Sequence, residues 1–376
     1  MGDTFTKVTI ESLANSGEGV GRVDGKVVFV PYSCPGDILE ALVTTNKKKF
    51  ARANIKKLLN PSPHRVPPRC PHFSVCGGCD WQHIDYETQL FWKKQNLAQS
   101  LKRIGGIEKL PEIKIKGCSE TYNYRNRIQV QFESGKFSFA KRASNQRIPI
   151  EKCDIADERI NIALAQIKAH LTNQGIANQR VELAIVDNQV EVFLHDGDLS
   201  SGLGFRQVND EQNQYLVQKI VSLVEALQVD QLVDLYCGSG NWMFAINDHL
   251  PHIQCLGVDL NPINIQRGRA YDRPNVEFQL GHSEIIYPQL SGQWPVVILD
   301  PPRSGCHPDL LKKLCEKPPK HLIYISCDPA TLARDLKALL SGPFSLTDIE
   351  AIDMFPQTRH CEAWVLLQGG TPSNTD

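Results

Sequence analysis

The chain has 376 residues, 41% hydrophobic and 22% charged, the composition of a soluble globular protein, and no apolar run reaches the ~18 residues of a membrane-spanning helix. The net charge of −1 excludes a uniformly basic polyanion binder, but the charge is unevenly spread: residues 1–160 hold 26 Lys and Arg against 17 Asp and Glu, and the remainder 15 against 25. The opening Met-Gly-Asp-Thr-Phe-Thr-Lys carries no secretory core, so the expected location is the cytoplasm, where 12 cysteines are expected to serve metal or catalytic chemistry rather than disulfides. The length suggests two to four domains at roughly 100–200 residues each.

In chain order, residues 7–60 predict a small β-barrel. Val8 to Leu13 and Ile38 to Val43 alternate apolar and polar residues, and Val20 to Val30 carries an Asp24-Gly25 hairpin signal. The short strands, glycine turns and basic character resemble a TRAM module, an OB-like RNA-binding barrel. No acidic residue falls between Glu40 and Asp80, while Lys47, Lys48, Lys49, Arg52, Lys56, Lys57, Arg65 and Arg69 do. That run reads as a polyanion contact or as a solvated basic linker.

Cys70-x5-Cys76-Gly-Gly-Cys79 brings three thiols within ten residues, followed by Asp80, Trp81, Gln82 and His83. A metal or cluster needs a fourth ligand; Cys153 is the first candidate, then Cys118 and Cys34. The spacing leaves zinc and an iron–sulfur cluster open, but it is not the C-x3-C-x2-C of radical enzymes. Asp85 to Ile104 predicts one helix, stopped by Gly105-Gly106. Strands follow at Ile128 to Phe132, Lys136 to Ala140, Val181 to Val186 and Val190 to Leu194, joined in pairs by hairpins at Glu133-Ser-Gly135 and Asp187-Asn188, with a helix near 157–173 between the pairs.

From about residue 212, helix and strand alternate, the pattern of a doubly wound parallel sheet. Leu232 to Leu235 runs into the turn Tyr236-Cys-Gly-Ser-Gly-Asn241, and Asp259 ends the next strand, Gln254 to Val258. Glycines there let a ligand approach the backbone, and a carboxylate at Asp259 can accept from both ribose hydroxyls. The turn lacks a full G-x-G-x-x-G, which favours S-adenosylmethionine over a dinucleotide. Val296 to Leu299 ends in Asp300-Pro-Pro-Arg303, and His321 to Ser326 ends at Cys327. The chain closes with two strands, Ser345 to Met354 and Glu362 to Gln368, and no helix between them, an antiparallel finish typical of class I methyltransferases. The tail from Gly369 to Asp376 reads as disordered.

A cysteine, two carboxylates and a cofactor turn at strand ends fit one reaction. Pyrimidine C5 is a poor nucleophile; a thiolate adding at C6 makes C5–C4–O4 an enolate that can take a sulfonium methyl group, after which a base removes H5. Cys327 is the candidate nucleophile, at a turn that opens a helix whose N-terminus favours a thiolate. Glu362, after His360 and Cys361, is the candidate base. Cys237, Cys255, Cys306, Cys315 and Cys361 read as small buried hydrophobes. Arg303 stands where amino-group methyltransferases place an aromatic residue, which disfavours methylation of an adenine amine.

Cys70 to His83, Gly204-Phe-Arg-Gln207-Val-Asn209, Asp234 to Asn241, Asp300 to Gly305, Ser326 to Asp335 and His360 to Glu362 together resemble the RNA (uracil-5-)-methyltransferase family over nearly the whole chain. The subgroup resembled carries a TRAM domain and a [4Fe–4S] cluster and modifies 23S ribosomal RNA. The resemblance implies three parts: a TRAM-like RNA-binding barrel at 1–60, a central α+β iron–sulfur domain at 61–205, and a class I, Rossmann-like S-adenosylmethionine-dependent α/β domain at 206–370. It implies Cys70, Cys76, Cys79 and Cys153 as cluster ligands, Gln207, Tyr236, Asn241, Asp259 and Asp300 as cofactor contacts, Cys327 as nucleophile and Glu362 as base. The expected product is 5-methyluridine at a uracil-1939-type site of 23S rRNA, made by a monomer with no membrane partner. Two residues depart from the family pattern: His282 stands where Asn or Asp is common on the adenine side, and Trp242 replaces a phenylalanine, expected only to repack the pocket wall. The rival readings are a tRNA T-loop uracil methyltransferase, a cytosine C5 methyltransferase, and a non-catalytic RNA-binding or ribosome-assembly factor.

Overall fold

The computed structural model describes residues 5–195, 207–292 and 294–370. These fall into two compact units, Met1–Asn96 with Cys118–Asp210 and Phe355–His360, and Leu97–Gly117 with Glu211–Met354 and Cys361–Asp376. Of the tail expected to be disordered from Gly369 onward, Gly369 instead ends the last strand, while residues 371–376 and the Gly204-Phe-Arg segment lie outside the described residues.

The first unit opens with a closed five-stranded barrel of β1 (Phe5–Leu13), β2 (Gly19–Val23), β3 (Lys26–Val30), β4 (Ile38–Asn46) and β5 (Phe50–Asn60), in the order β1-β2-β3-β5-β4. Val8, Ile10, Val28, Val30, Leu39, Ala41, Ala51 and Ala53 fill it, one residue in two along β1, β3, β4 and β5, as a pleated sheet with one buried face requires. Asp24 and Gly25 both have positive φ (48° and 77°), the turn whose twist suits a two-residue hairpin. Of the basic residues expected on this module, Lys47, Lys48 and Lys49 are exposed at the β4–β5 turn. Arg65 instead binds the fully buried Asp37 with two nitrogens, at 2.8 and 2.7 Å.

Helix α1 (Tyr86–Arg103) starts in the first unit and ends in the second, where Leu97 and Leu101 enter the core. The edge strand β6 (Lys114–Lys116) follows. The other sheet of the first unit contains β7 (Arg127–Glu133), β8 (Lys136–Ala140), β9 (Arg147–Ile150), β10 (Asn178–Val186) and β11 (Gln189–His195). Its order, β11-β10-β7-β8-β9, is antiparallel throughout, so the two expected hairpins share one sheet. Helix α2 (Glu158–Asn173), capped by Asp157, buries Ile160, Leu164 and Leu171 against it.

The second unit is an α/β sandwich. Helix α3 (Asp210–Leu227) leads into β12 (Gln231–Asp234), α4 (Asn241–His249), β13 (Gln254–Asp259), α5 (Pro262–Arg269), β14 (Val276–Leu280), α6 (Ser283–Ile286), β15 (Val296–Leu299), α7 (Pro308–Glu316), β16 (His321–Ser326), α8 (Pro329–Leu340), β17 (Phe344–Ile352) and β18 (Glu362–Gly369). The sheet runs β14-β13-β12-β15-β16-β18-β17-β6. Neighbours from β14 to β16 are parallel, whereas β18 is antiparallel to both β16 and β17, which is the expected antiparallel finish. β15 is buried along its whole length, as a parallel strand covered on both faces must be. The strand order reverses between β12 and β15, so their carboxyl ends open the crevice in which such folds bind ligands.

Candidate active site

The turn after β12 is shaped by glycine. Gly238 and Gly240 have φ of +56° and +101°, and a Cβ on Gly240 would fall 2.8 Å from both Phe244 and Phe278. A Cβ on Gly238 would meet no protein atom within 4 Å, so the space above the turn is free for a ligand. Asp259, at the end of β13, accepts from the backbone N–H of Gly238 at 3.0 Å and of Asn261 at 2.7 Å. Each oxygen keeps a lone pair for a ribose hydroxyl. Leu260, the next residue, is 63% exposed, an apolar surface that the sequence reading missed. His282 precedes α6 on the exposed surface, 3.4 Å from Glu284, and Asn241 is the first residue of α4. Beneath the turn, Asp234 is fully buried, one oxygen accepting from the Tyr236 N–H, and burial holds its carboxyl well above the ordinary range.

Asp300 follows β15. Crowding by protein raises its carboxyl to about 7, while a hydrogen bond from the Trp242 side chain opposes the rise. Trp242 is 2% exposed, so the residue expected only to fill the pocket wall also carries a polar contact. The loop beyond Asp300 is fixed at its far end by the buried Asp335, which accepts from the Tyr324 hydroxyl at 2.6 Å and the Cys306 N–H at 2.8 Å. The Tyr236 hydroxyl reaches the same loop at the His307 N–H, 3.4 Å away.

Cys327 lies half-buried between β16 and α8. Burial pushes its thiol up to about 11; the charges of Glu362 and Asp300 add to the rise, and Arg303 opposes it. The helix N-terminus expected to favour its thiolate is occupied, because Asp328 caps α8 by accepting from the Ala330 and Thr331 N–H groups at 2.9 Å each. Glu362, the first residue of β18, is 2% exposed; burial and Asp300 raise it to about 8, again against Arg303. β15, β16 and β18 are consecutive neighbours, so Asp300, Cys327 and Glu362 are gathered at one place. Arg303, noted in the sequence only as a replaced aromatic, is the cation common to Cys327 and Glu362. Gln207 lies in the first unit, buried, its carbonyl accepting from Asn126 at 3.1 Å.

Also within the first unit, Cys70, Cys76, Cys79 and Cys153 line one cavity of about 1040 Å³. The Cys79 thiol is pushed up to about 12 by burial, opposed by a hydrogen bond from Gln82 and reinforced by Cys153, Cys76 and Cys70. Among the described residues no group of three or more His, Cys, Asp or Glu converges at metal-binding spacing. The four thiols share that space without meeting such spacing, and sulfur donors are the kind that iron–sulfur clusters and zinc take. Cys34 and Cys118 line other places: Cys34 is buried with Leu13, Trp81 and Ile84, and Cys118 accepts from Asn209 at 3.3 Å. His83, pushed down to about 4 by burial, is a neutral imidazole bonded to the Ser33 carbonyl.

Residues 4–56 match the TRAM domain, and residues 290–369 match the family described as tRNA (Uracil-5-)-methyltransferase. An uncharacterized RNA methyltransferase of Bdellovibrio bacteriovorus is 33% identical over 371 residues, covering 95% of this chain and 93% of that protein. The 23S rRNA (uracil(1939)-C(5))-methyltransferase RlmD of Vibrio vulnificus is 28% identical over 96% of each chain. Among solved structures, the Pyrococcus abyssi tRNA (uracil-54, C5)-methyltransferase in complex with S-adenosyl-L-homocysteine shares the fold, with a TM-score of 0.75 at 24% identity over 96% of this chain and all of that one.

Proposed function

The chain belongs to the RNA methyltransferase family, with a catalytic segment of the uracil-5 type, and from that premise we propose that it forms 5-methyluridine at a uracil-1939-type site of 23S rRNA. The observation that carries this reading is the gathering of Cys327, Asp300 and Glu362 at the ends of β15, β16 and β18, with Arg303 acting on the thiol and on Glu362. The relative that acts, by its name, on 23S rRNA supports that substrate over tRNA.

S-Adenosylmethionine, when bound, supplies the methyl group. Within the second unit Tyr236, Asn241, Asp259 and Asp300 would hold it: Asp259 would take the ribose hydroxyls, and the exposed Leu260 would offer the adenine an apolar face. The uracil leaves its stack at a cost of a few kcal/mol. Cys327 loses its proton to solvent water, Arg303 favouring the charged form, and Sγ adds to C6. The displaced electron pair passes through C5–C4–O4 as an enolate, and C5 takes the methyl group. Glu362 in its deprotonated form then accepts H5, the C5–H pair restores the C5=C6 bond, and the C6–Sγ bond breaks to return the thiolate.

Cys70, Cys76, Cys79 and Cys153 hold a [4Fe–4S] cluster in this reading, and the parts divide as 1–60, 61–205 and 206–370. The barrel supplies RNA affinity, and in this reading the enzyme works as a cytoplasmic monomer. Protein purified without oxygen is expected to be brown with about four irons per chain; a colourless, zinc-loaded, active protein overturns the cluster.

The function is tested by incubating the protein with S-adenosylmethionine and unmodified 23S rRNA or tRNA, then mapping methylated nucleotides by mass spectrometry. 5-Methyluridine in 23S rRNA alone is the expected result. The same product in tRNA alone replaces the substrate, and no methylation of either makes the chain a non-catalytic RNA-binding factor.

A further inference from the structure

Between β17 and β18 the chain passes through the first unit, to which Phe355–His360 belongs, and then re-enters the second at Cys361, one residue before Glu362. Within the first unit this hexapeptide is held almost residue by residue. Lys93, fully buried, donates to the Phe355 carbonyl at 3.0 Å, and the Tyr124 hydroxyl donates to the Pro356 carbonyl at 3.0 Å. Gln357, at a φ of +68°, exchanges two hydrogen bonds with the side chain of Gln89, at 3.0 and 3.1 Å. The Gln357 carbonyl accepts from the backbone N–H groups of Asp80 and Trp81, at 3.1 and 3.0 Å. Arg359 closes the set with an ion pair to Asp80 at 2.9 Å.

Asp80 is central to this arrangement. It is 5% exposed, one oxygen on Arg359 and the other on Arg142 at 3.1 Å, and it directly follows Cys79. The nine residues between Ile352 and Glu362 need no such anchorage merely to join two antiparallel strands, since two to five residues suffice for a hairpin. What this loop does carry is the chain leading directly into Glu362. A base displaced by about 1 Å can lose on the order of 10²-fold in rate, so anchorage of the loop has a direct chemical consequence.

We propose that Asp80 is a positioning residue for the proton-transfer step: its grip on Arg359 and Gln357 sets the loop that delivers Glu362, tying placement of the base to the Cys70–Cys79 segment. The inference rests on Glu362 being the base. A poorly placed base slows only the steps after methyl transfer. H5 stays on C5, the C6–Sγ bond is not broken, and methylated RNA remains attached to Cys327. A purely structural role would lower adduct formation and turnover together.

The test uses full-length Asp80→Asn purified without oxygen, with iron content and S-adenosylmethionine affinity measured first. Both are expected to match the unaltered protein. Amide exchange in the 355–360 peptide should quicken at least ~5-fold, kcat should fall ~10-fold or more with KM for RNA within about twofold, and a denaturant-stable RNA–protein adduct should accumulate during turnover. Asp80→Glu should recover part of each. Unchanged kcat, or a fall in kcat with no extra adduct, overturns the proposal. Should Asp80→Asn lose iron or fail to fold, Arg359→Met releases the same grip from the side away from the cysteines and is judged by the same readings. Glu362→Gln, run in parallel, separates the premise from the inference. No adduct from Glu362→Gln removes Glu362 as the base and the proposal with it; adduct from Glu362→Gln but from neither loop variant removes the proposal alone.

Discussion

The Trp242 side chain donates a hydrogen bond to Asp300, joining the first turn of α4 to the end of β15. Asp300 is poised near neutrality because crowding favours its protonated form and this donor favours the charged one. Trp242→Phe keeps an aromatic wall and removes the donor. Its expected effect is a further rise in the Asp300 pKa, seen as an upward shift of the acid limb of kcat/KM by up to about one pH unit, roughly 1.4 kcal/mol. An acid limb that does not move would mean that Asp300 does not titrate in the catalytic cycle.

Arg303 lowers the pKa of both Cys327 and Glu362, opposing burial at each. Arg303→Ala should therefore raise both groups and move the activity profile to higher pH, with turnover at pH 7 falling on the order of 10²-fold. Arg303→Lys should keep part of the activity because it keeps the charge, though not the planar fork. A pH–rate series on the three proteins checks this; an alanine variant with an unshifted profile removes Arg303 from the electrostatics of the site.

The site's main residues were legible because each lies at one end of an apolar strand: Asp259 closes β13, Asp300 and Cys327 directly follow β15 and β16, and Glu362 opens β18. The Trp242–Asp300 bond and the reach of Arg303 to Glu362 depend on which strands become neighbours, and no local pattern encodes that. The fold shows the same division. β12, β15 and β16 stand out as apolar runs, but β6 is the three residues Lys-Ile-Lys, with nothing to mark an edge strand. Arg65 read as part of a basic run because its partner Asp37 lies 28 residues earlier. Cys327 was expected to gain from the α8 N-terminus; Asp328, the very next residue, takes that place as cap.

Glu362 makes stability depend on pH. Its folded pKa of about 8 lies above the ordinary 4.5, so between those values the folded state holds a proton that the unfolded chain has released. Stability from this group is thus fully present below about pH 4.5 and declines as pH rises toward 8, by at most about 1.4 kcal/mol per pH unit. Glu362→Gln, uncharged at every pH, should raise Tm at pH 8.5 and leave it nearly unchanged at pH 4.5. A variant less stable than the parent at pH 8.5 would show that the buried carboxylate is compensated in the folded protein.

The basic residues near the barrel should separate into two kinds. Lys47, Lys48 and Lys49 are exposed at the β4–β5 turn, where charges can meet phosphate without desolvating anything else. Each phosphate contact contributes roughly 0.7–0.9 to the slope of log K against log salt, so replacing all three with alanine should lower that slope by up to about 2–3 and leave Tm unchanged. Arg65 is different: removing it leaves Asp37 charged at 0% exposure, and Arg65→Ala should cost about 3 kcal/mol of stability or more. Its salt slope should match the parent wherever the variant stays folded. Filter-binding titrations on 23S rRNA at several salt concentrations, with melting curves beside them, distinguish the two kinds. A lysine triple variant with the parent's slope would move the RNA contact away from this turn, and a loss of slope without loss of stability in Arg65→Ala would assign Arg65 to the RNA.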